Sequence, residues 1–343
     1  MMVTIKDVAK LAQVSPSTVS RVISDSKQIS DETKKRVRIA MEELGYYPNL
    51  IARSLITKSS QTLGLIMSRS TETAFSSPFF SEVIRGISKA VQNRQYSLLL
   101  ATAENYKEEA KQCMKMIKEK RVDGVILLAS RVEDDLIAQL SLDEYPFVVV
   151  GRAPSGTGIY SVNNDNIQAA YNVVRHLLNL GHREIAFLNG PQDYIFCHDR
   201  YEGYAMAFRE FGLEIIQEYV IETDLQQENG YFYTKELLAL TKPPTAVFTI
   251  DDMMALGAYR AIKENQLKIP DDIAVVGFNN DHFSSLVSPP LTTVRIPIYE
   301  MGINAAEMMM DLLGGKRVIP PQRILSSELI IRDSCGGKTI NYC

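Results

Sequence analysis

The stretch Ser15-Pro16-Ser17-Thr18-Val19-Ser20-Arg21 sets several hydroxyls and one guanidinium within about two helical turns, and such groups hydrogen-bond phosphates and base edges. A second chemistry recurs along the rest of the chain. The segments "TAFSSPFF" (73–80), Ser130-Arg131, "VNNDN" (162–166), "FCHDR" (196–200), "TIDD" (249–252) and "FNND" (278–281) contribute acceptors, arginines and aromatic rings. That mixture suits a sugar, because carboxylates and amides bind its hydroxyls while an aromatic face covers its C–H surface. Trp is absent, so Phe75, Phe79, Phe80, Tyr194, Phe196 or Phe278 would have to stack. Taken singly, Asp165 and Asp251 read first as caps at helix starts. Their concentration with the other segments is what points to a ligand.

Catalytic chemistry is poorly represented. His176, His182, His198 and His282 lack metal-ligand spacing, and no phosphate loop or nucleophile elbow occurs. Asp251 and Asp252 are neighbours, whose side chains diverge at a helix start, so they form no acid/base pair. Cys113, Cys197, Cys335 and Cys343 show no CxxC spacing, which indicates neither a zinc site nor a disulfide framework. The reading is therefore of a binding protein without metal, cofactor or catalytic residues. Without an apolar run of membrane length or a signal-peptide pattern, a cytoplasmic location is expected.

The elements that must position the first stretch are helical. Proline is tolerated at the first position of a helix, where its missing N–H has no partner to lose. Ser15 thus reads as N-cap and Pro16 as the start of a helix whose Val19, Val22 and Ile23 share a face. Thr4 opens an earlier helix with the stripe Ile5, Val8, Ala9 and Ala12. Ser30 opens a third, with Val37, Ala40, Met41 and Leu44 inward and Gly45 at its end. Two short helices separated by Gln13 and Val14 make a helix-turn-helix over residues 1–46. Charge agrees. Residues 1–60 hold 10 Lys and Arg against 6 Asp and Glu, a net of +4, whereas the remainder is −8. A basic head on an acidic body suggests one end that binds nucleic acid. Residues 47–60 follow, and Asn49 to Leu55 within them are either a plain linker or a hinge that folds on docking, since so short a helix is unstable alone.

The second set of segments needs a different scaffold. From residue 62, short Val/Ile/Leu-rich runs ("TLGLIM", "YSLLLATA", "DGVILLAS", "PFVVVGR", then "REIAFLNG", "EYVIET", "TAVFTI", "DIAVVGFN") alternate with helical segments. This predicts an α/β core of two doubly wound parallel-sheet subdomains, with ligands at the carboxyl ends of the strands. The core is expected over 61–340, the N-terminal subdomain over about 61–160 and 294–322 and the C-terminal one over about 161–293 and 323–340. "LTTVRIP", a helix at about 298–313 and "RILSSELIIR" would cross back to complete both sheets.

"TIKDVAKLAQVSPSTVSRVI", "ISDETKKRV", "ELGYYPNLIARSL", "DRYEGY", "MALGAYRAI", "IAVVGFNND" and "PPLTTV" together resemble the lactose/galactose repressor (LacI/GalR) family, in order and across nearly the whole chain. Within it, "SSPFF", "VDGVILLASRVEDD", "VNNDN" and the Gly-Tyr after Asp199-Arg200 look most like the maltose-operon regulators of Gram-positive bacteria. The resemblance implies a periplasmic-binding-protein-like core and a homodimer on a pseudo-palindromic operator in double-stranded DNA. Ser15, Pro16, Ser17, Thr18 and Arg21 would form the DNA face. Pro16 stands where other members carry a base-contacting side chain and would supply shape and apolar contact but no hydrogen bond. Asn49 and Arg53 match hinge contacts, and Leu55 matches the wedge that opens the central base step in the minor groove.

In the core the resemblance assigns Arg200 to effector hydroxyls or carboxylate. Asp251 falls where some members have Asn, and Asn279 where many have Asp. With Phe79, Arg131 and Asp165 these are the expected effector contacts, the effector being a small sugar, maltose or a maltodextrin. Two other readings compete. A carbon-catabolite regulator with a phosphorylated phosphocarrier as corepressor needs cations near 298–313, where the sequence "IYEMGINAAEMMMDLLGG" has none. A stand-alone sugar-binding protein or sugar enzyme would need no basic head. The Met308-Met309-Met310 run reads as dimer or core packing. No leucine heptads follow "RDSCGG", so a dimer without a tetramerising tail is expected.

Overall fold

Three side-chain hydroxyls start the first three helices. In the computed structural model, which describes residues 3–26, 28–47, 59–67, 71–128, 131–153 and 158–337, these are α1 (Ile5–Leu11), α2 (Pro16–Ile23) and α3 (Asp31–Glu43). Asp7 accepts from the Thr4 N–H at 2.9 Å and the Thr4 hydroxyl at 2.7 Å. Ser15 accepts from the Thr18 N–H at 3.1 Å, with Pro16 in the first turn. Gln13, at φ +52°, makes the tight turn between α1 and α2, and Gly45, at φ +60°, ends α3 in the left-handed region that glycine favours. Val8, Ala9, Ala12, Val19, Val22, Val37 and Ala40 form the buried centre of this head.

The remaining elements alternate. They run β1 (Thr62–Met67), α4 (Thr71–Ser76), α5 (Pro78–Gln92), β2 (Ser97–Thr102), α6 (Tyr106–Lys118), β3 (Gly124–Leu127), α7 (Asp135–Leu142), β4 (Phe147–Val150), β5 (Ser161–Asn164) and α8 (Asn166–Asn179). Then come β6 (Ile185–Asn189), α9 (Ile195–Glu210), β7 (Val220–Glu222), α10 (Gln227–Leu238), β8 (Ala246–Thr249), α11 (Asp252–Glu264) and β9 (Ala274–Val276). The chain closes with β10 (Thr293–Arg295), α12 (Ile298–Leu313), β11 (Gln322–Leu325) and β12 (Glu328–Ile330). One parallel sheet has the order β11-β5-β4-β3-β1-β2 and a second the order β7-β6-β8-β9. β10 and β12 form an antiparallel pair beside the second sheet, which β10 extends through the Val276–Thr292 and Asn279–Arg295 bridges.

Three expectations need correction. "VNNDN" is not a strand-end loop: Ser161–Asn164 is itself a strand, paired with β4 and β11. Its polar sequence hid it from a search for apolar runs. Sheet membership also moves the expected subdomain limits, since β5 and β11 both belong to the N-terminal sheet while β10 belongs with the C-terminal one. Finally, α9 begins at Ile195, so "FCHDR" is its first turns and Arg200 lies inside it. Met308 and Met309 are buried against the first sheet's core.

Candidate functional site

The DNA-facing candidates sit at the start of α2. Ser15, Pro16, Ser17 and Arg21 are exposed and Thr18 is half-buried. The Ser15 hydroxyl lies 2.7 Å from that of Ser17 and 2.9 Å from that of Thr18, so the three hydroxyls form one cluster over the helix N-terminus. Such a terminus carries partial positive charge and unpaired N–H groups, which suit phosphate. Arg21, one turn on, has no ion-pair partner among the described residues. Asn49, Arg53 and Leu55 lie outside the described residues.

The effector candidates meet between the carboxyl ends of the two sheets. The space there is a narrow cavity of about 90 Å³. Its walls are close together. Phe79 and Phe80 from α5 face Arg200 and Phe196 from α9, Asp251 ahead of α11, and Asn279. Of the six expected contacts, Phe79, Arg200, Asp251 and Asn279 line this cavity.

Arg200 is the pivot. Gly203, one turn later in α9, stands so close to α8 that a Cβ would lie 2.2 Å from the Ile167 carbonyl. That close approach brings the Arg200 Nε within 3.0 Å of the Asn166 Oδ1. A second nitrogen, Nη1, donates to the Ile250 carbonyl. The guanidinium lies 3.6 Å from the centre of the Phe278 ring and 5.2 Å from that of Phe196. Complete burial lowers its pKa to about 10 against the pull of Cys197 and the Asp251, Asp199 and Asp252 carboxylates, so it remains charged at neutral pH. Phe278 is fully buried under the guanidinium, which removes it from the stacking candidates. Phe75 and Tyr194 do not line the cavity either.

Two expected contacts lie elsewhere. Asp165 is exposed, and its carboxylate accepts from the Gln168 N–H at 2.9 Å as an ordinary N-cap of α8. Arg131 is buried in an ion pair with Glu109 at 2.8 Å and lies over Tyr106 and Tyr194. Its role is contact between subdomains: Arg131 and Tyr194 pair as a backbone bridge, and the Val132 N–H donates to the Asp193 carbonyl at 2.9 Å.

Several lining residues were missed. Arg152, after β4, grips the buried Asp199 of α9 with two bonds of 2.6 and 2.9 Å, spanning the subdomains. Asn163, Asn164 and Asn166 supply amides, which the run "VNNDN" displays beside the aspartate expected to serve. Asp252 is wholly buried and accepts from the Asp281 N–H at 2.8 Å, the Ser284 hydroxyl at 2.6 Å and the Thr293 hydroxyl at 2.6 Å. It ties the start of α11 to the loop that carries Asn279, and burial raises its pKa to about 6. Asp281 beside it is raised to about 8 by burial and by Asp252 and Asp251, and its Oδ2 has no hydrogen-bond partner.

Comparison with known proteins agrees with both halves. A family model described as "Bacterial regulatory proteins, lacI family" matches residues 4–49, and one described as "Periplasmic binding protein-like domain" matches 174–335. The HTH-type transcriptional repressor CytR of Escherichia coli (strain K12) is 35% identical over 331 residues, 96% of each chain. Among solved structures, the transcriptional regulator CelR in complex with cellobiose is 32% identical, with a TM-score of 0.75 over 97% of this chain and 99% of that one. The Lac repressor dimer bound to operator and an anti-inducer is 28% identical, with a TM-score of 0.86 over 98% and 99%. Among the described residues no helix is long and apolar enough to cross a membrane. A helix-turn-helix head, a two-sheet core with a lined cleft, and full-length likeness to repressors lead to one assignment: the chain belongs to the LacI family of DNA-binding transcriptional regulators.

Proposed function

We propose that this regulator is a homodimeric repressor of sugar-utilisation genes, released from its operator when maltose or a short maltodextrin enters the cleft. The observation that carries the reading is Arg200, a charged donor held wholly inside a cavity whose walls come from both subdomains. A ligand shifts two arrangements only by binding them unequally, and a sugar touching Phe79 on one side and Arg200, Asp251 and Asn279 on the other would do so. The lining suits a neutral polyol, since amides outnumber charges and Arg152 is already matched by Asp199. The cellobiose complex of CelR supports a disaccharide of glucose as the ligand class. Two heads per molecule would read half-sites about one helical turn apart.

The phosphocarrier alternative depends on free cations beside α12. Two arginines from other elements line the groove at its start, which the sequence of the helix alone did not reveal. Arg85 stacks on Tyr299 at 3.9 Å but pairs with Glu82, and Arg295 pairs with Glu328. Arg323, which donates to Asn304 of α12 at 3.0 Å, forms no ion pair among the described residues, so the sugar reading rests on the cleft rather than on this groove. The test is a gel shift on an operator selected by the protein from random duplexes, with maltose, maltotriose and cellobiose added in turn. Release by the maltodextrins is expected. If neither maltodextrin released the DNA, the proposed ligand would be wrong and the regulator assignment would stand.

A further inference from the structure

Asp123 stands just ahead of β3, at the end of that strand far from the cleft, while Leu128 just past its other end lines the cavity. Its carboxylate gathers four donors from three consecutive residues: the Ser59 hydroxyl at 2.5 Å, the Ser60 N–H at 2.6 Å, the Ser60 hydroxyl at 2.9 Å and the Gln61 N–H at 3.0 Å. The Tyr96 phenol joins the same cluster through Ser59 and Asp123. Among the described residues from Ser59, backbone pairing with the sheet begins at Gln61, where the Ser97 N–H donates to the Gln61 carbonyl at 2.9 Å and the Asp123 N–H to the Thr62 carbonyl at 2.8 Å. Ahead of that point, the Asp123 carboxylate ties both Ser59 and Ser60 to the core, with Tyr96 also meeting Ser59. A carboxylate taking two backbone N–H groups and two hydroxyls is a strong, charge-assisted clamp. The strand beside it needs no such help, because β1 is paired along both edges by β2 and β3.

We propose that Asp123 is a positioning residue for operator binding, fixing the point and direction in which the chain leaves the core towards the DNA-binding head. The proposal rests on the regulator assignment and is independent of which ligand fills the cleft. Specific binding needs two heads presented together at half-site spacing, so a looser exit lowers the effective concentration of the second head. Attraction of a basic head to phosphate has no such requirement and survives.

The test uses the full-length protein, the operator it selects from random duplexes, and the variants Asp123→Asn and Asp123→Ala. Asp123→Ala is expected to lower specific affinity by about tenfold or more, and Asp123→Asn by less, because the amide keeps one accepting oxygen. Binding to an unrelated duplex at low salt and the thermal midpoint of the core should stay at the wild-type values. Amide exchange should quicken at Ser60 and Gln61 and not along the rest of β1. Wild-type operator affinity in both variants would overturn the proposal. So would a parallel loss of specific binding, non-specific binding and thermal midpoint, which would mark Asp123 as a purely structural group. A wild-type protein that selects no duplex would overturn the regulator reading itself, and the proposal with it, before any variant is compared.

Discussion

Arg200→Met removes the guanidinium and keeps an unbranched stem between the rings of Phe196 and Phe278. Two opposed terms set its effect on the ligand-free fold. The bonds to Asn166 and to the Ile250 carbonyl are lost, each worth about 1.5–3 kcal/mol when the donor is charged. Against this, the burial that lowers the group from 12.5 to about 10 corresponds to about 3 kcal/mol of charge-burial cost that methionine does not carry. The net loss is at most about 3 kcal/mol, a fall in Tm of less than about 10 °C for a core of this size. Sugar binding has no compensating term, since the donor aimed into the cavity is simply gone. Affinity should fall about tenfold to a hundredfold, the cost of one charged hydrogen bond. Arg200→Ala would add an empty cavity to this sum, so methionine is the cleaner replacement. Calorimetric titration with maltotriose, thermal unfolding and operator gel shifts on the same preparations supply the three readouts. Undiminished sugar affinity would refute the effector role of Arg200. A much larger fall in Tm would show that the guanidinium serves chiefly to hold the fold.

Arg21→Ala should cost about 1–3 kcal/mol of operator binding and relax the preference at one position of each half-site; a uniform loss over all duplexes with a shallower salt dependence would assign Arg21 to phosphate instead. Arg152→Ala and Asp199→Asn should each destabilise the core, and the double variant should show a coupling energy of about 1–3 kcal/mol in urea unfolding; simple additivity would mean the pair does not join the subdomains energetically. Asp252 at about 6 and Asp281 at about 8 keep protons in the fold that the unfolded chain, at an ordinary 3.8, has released. Through these groups the folded state binds more protons between about pH 4 and 8, and stability falls as pH rises. His176 and His182, lowered by burial, tilt the other way, so the readout is the difference between variant and wild type. Asp281→Asn should gain on wild type as pH rises towards 8, and a difference that is flat in pH would refute the assignment.

The head was legible in the sequence because its determinants are local. A hydroxyl followed by Pro16, a glycine at position 45 and apolar residues every third or fourth place fix three helices without reference to distant residues. The alternation of apolar runs with helices likewise settled the α/β class, since parallel strands buried on both faces are as a rule near-continuously apolar. β5 is the exception: "SVNN" is buried yet polar, and only its pairing with β4 and β11 makes it a strand. The place of β11 beside β5 depends on pairs more than 100 residues apart, which no local pattern encodes.

The cleft divides in the same way. Arg200 and Asp251 could be named from their motifs, yet nothing local separates Asp251, which lines the cavity, from Asp165, which caps an exposed helix start. Both are N-caps followed by a helix. Which one lines the cleft is decided by where the two sheets lie. The same holds for Arg131 and Arg152: each follows an apolar strand, and only the packing of α6 makes one a partner of Glu109 and that of α9 makes the other a partner of Asp199. The sequence by itself determined the helices, the class of fold and the chemistry on offer, because these follow from side-chain type and spacing. Tertiary structure decided which of those side chains share a cavity, because an ion pair or a buried amide is set by the approach of residues that the chain keeps far apart.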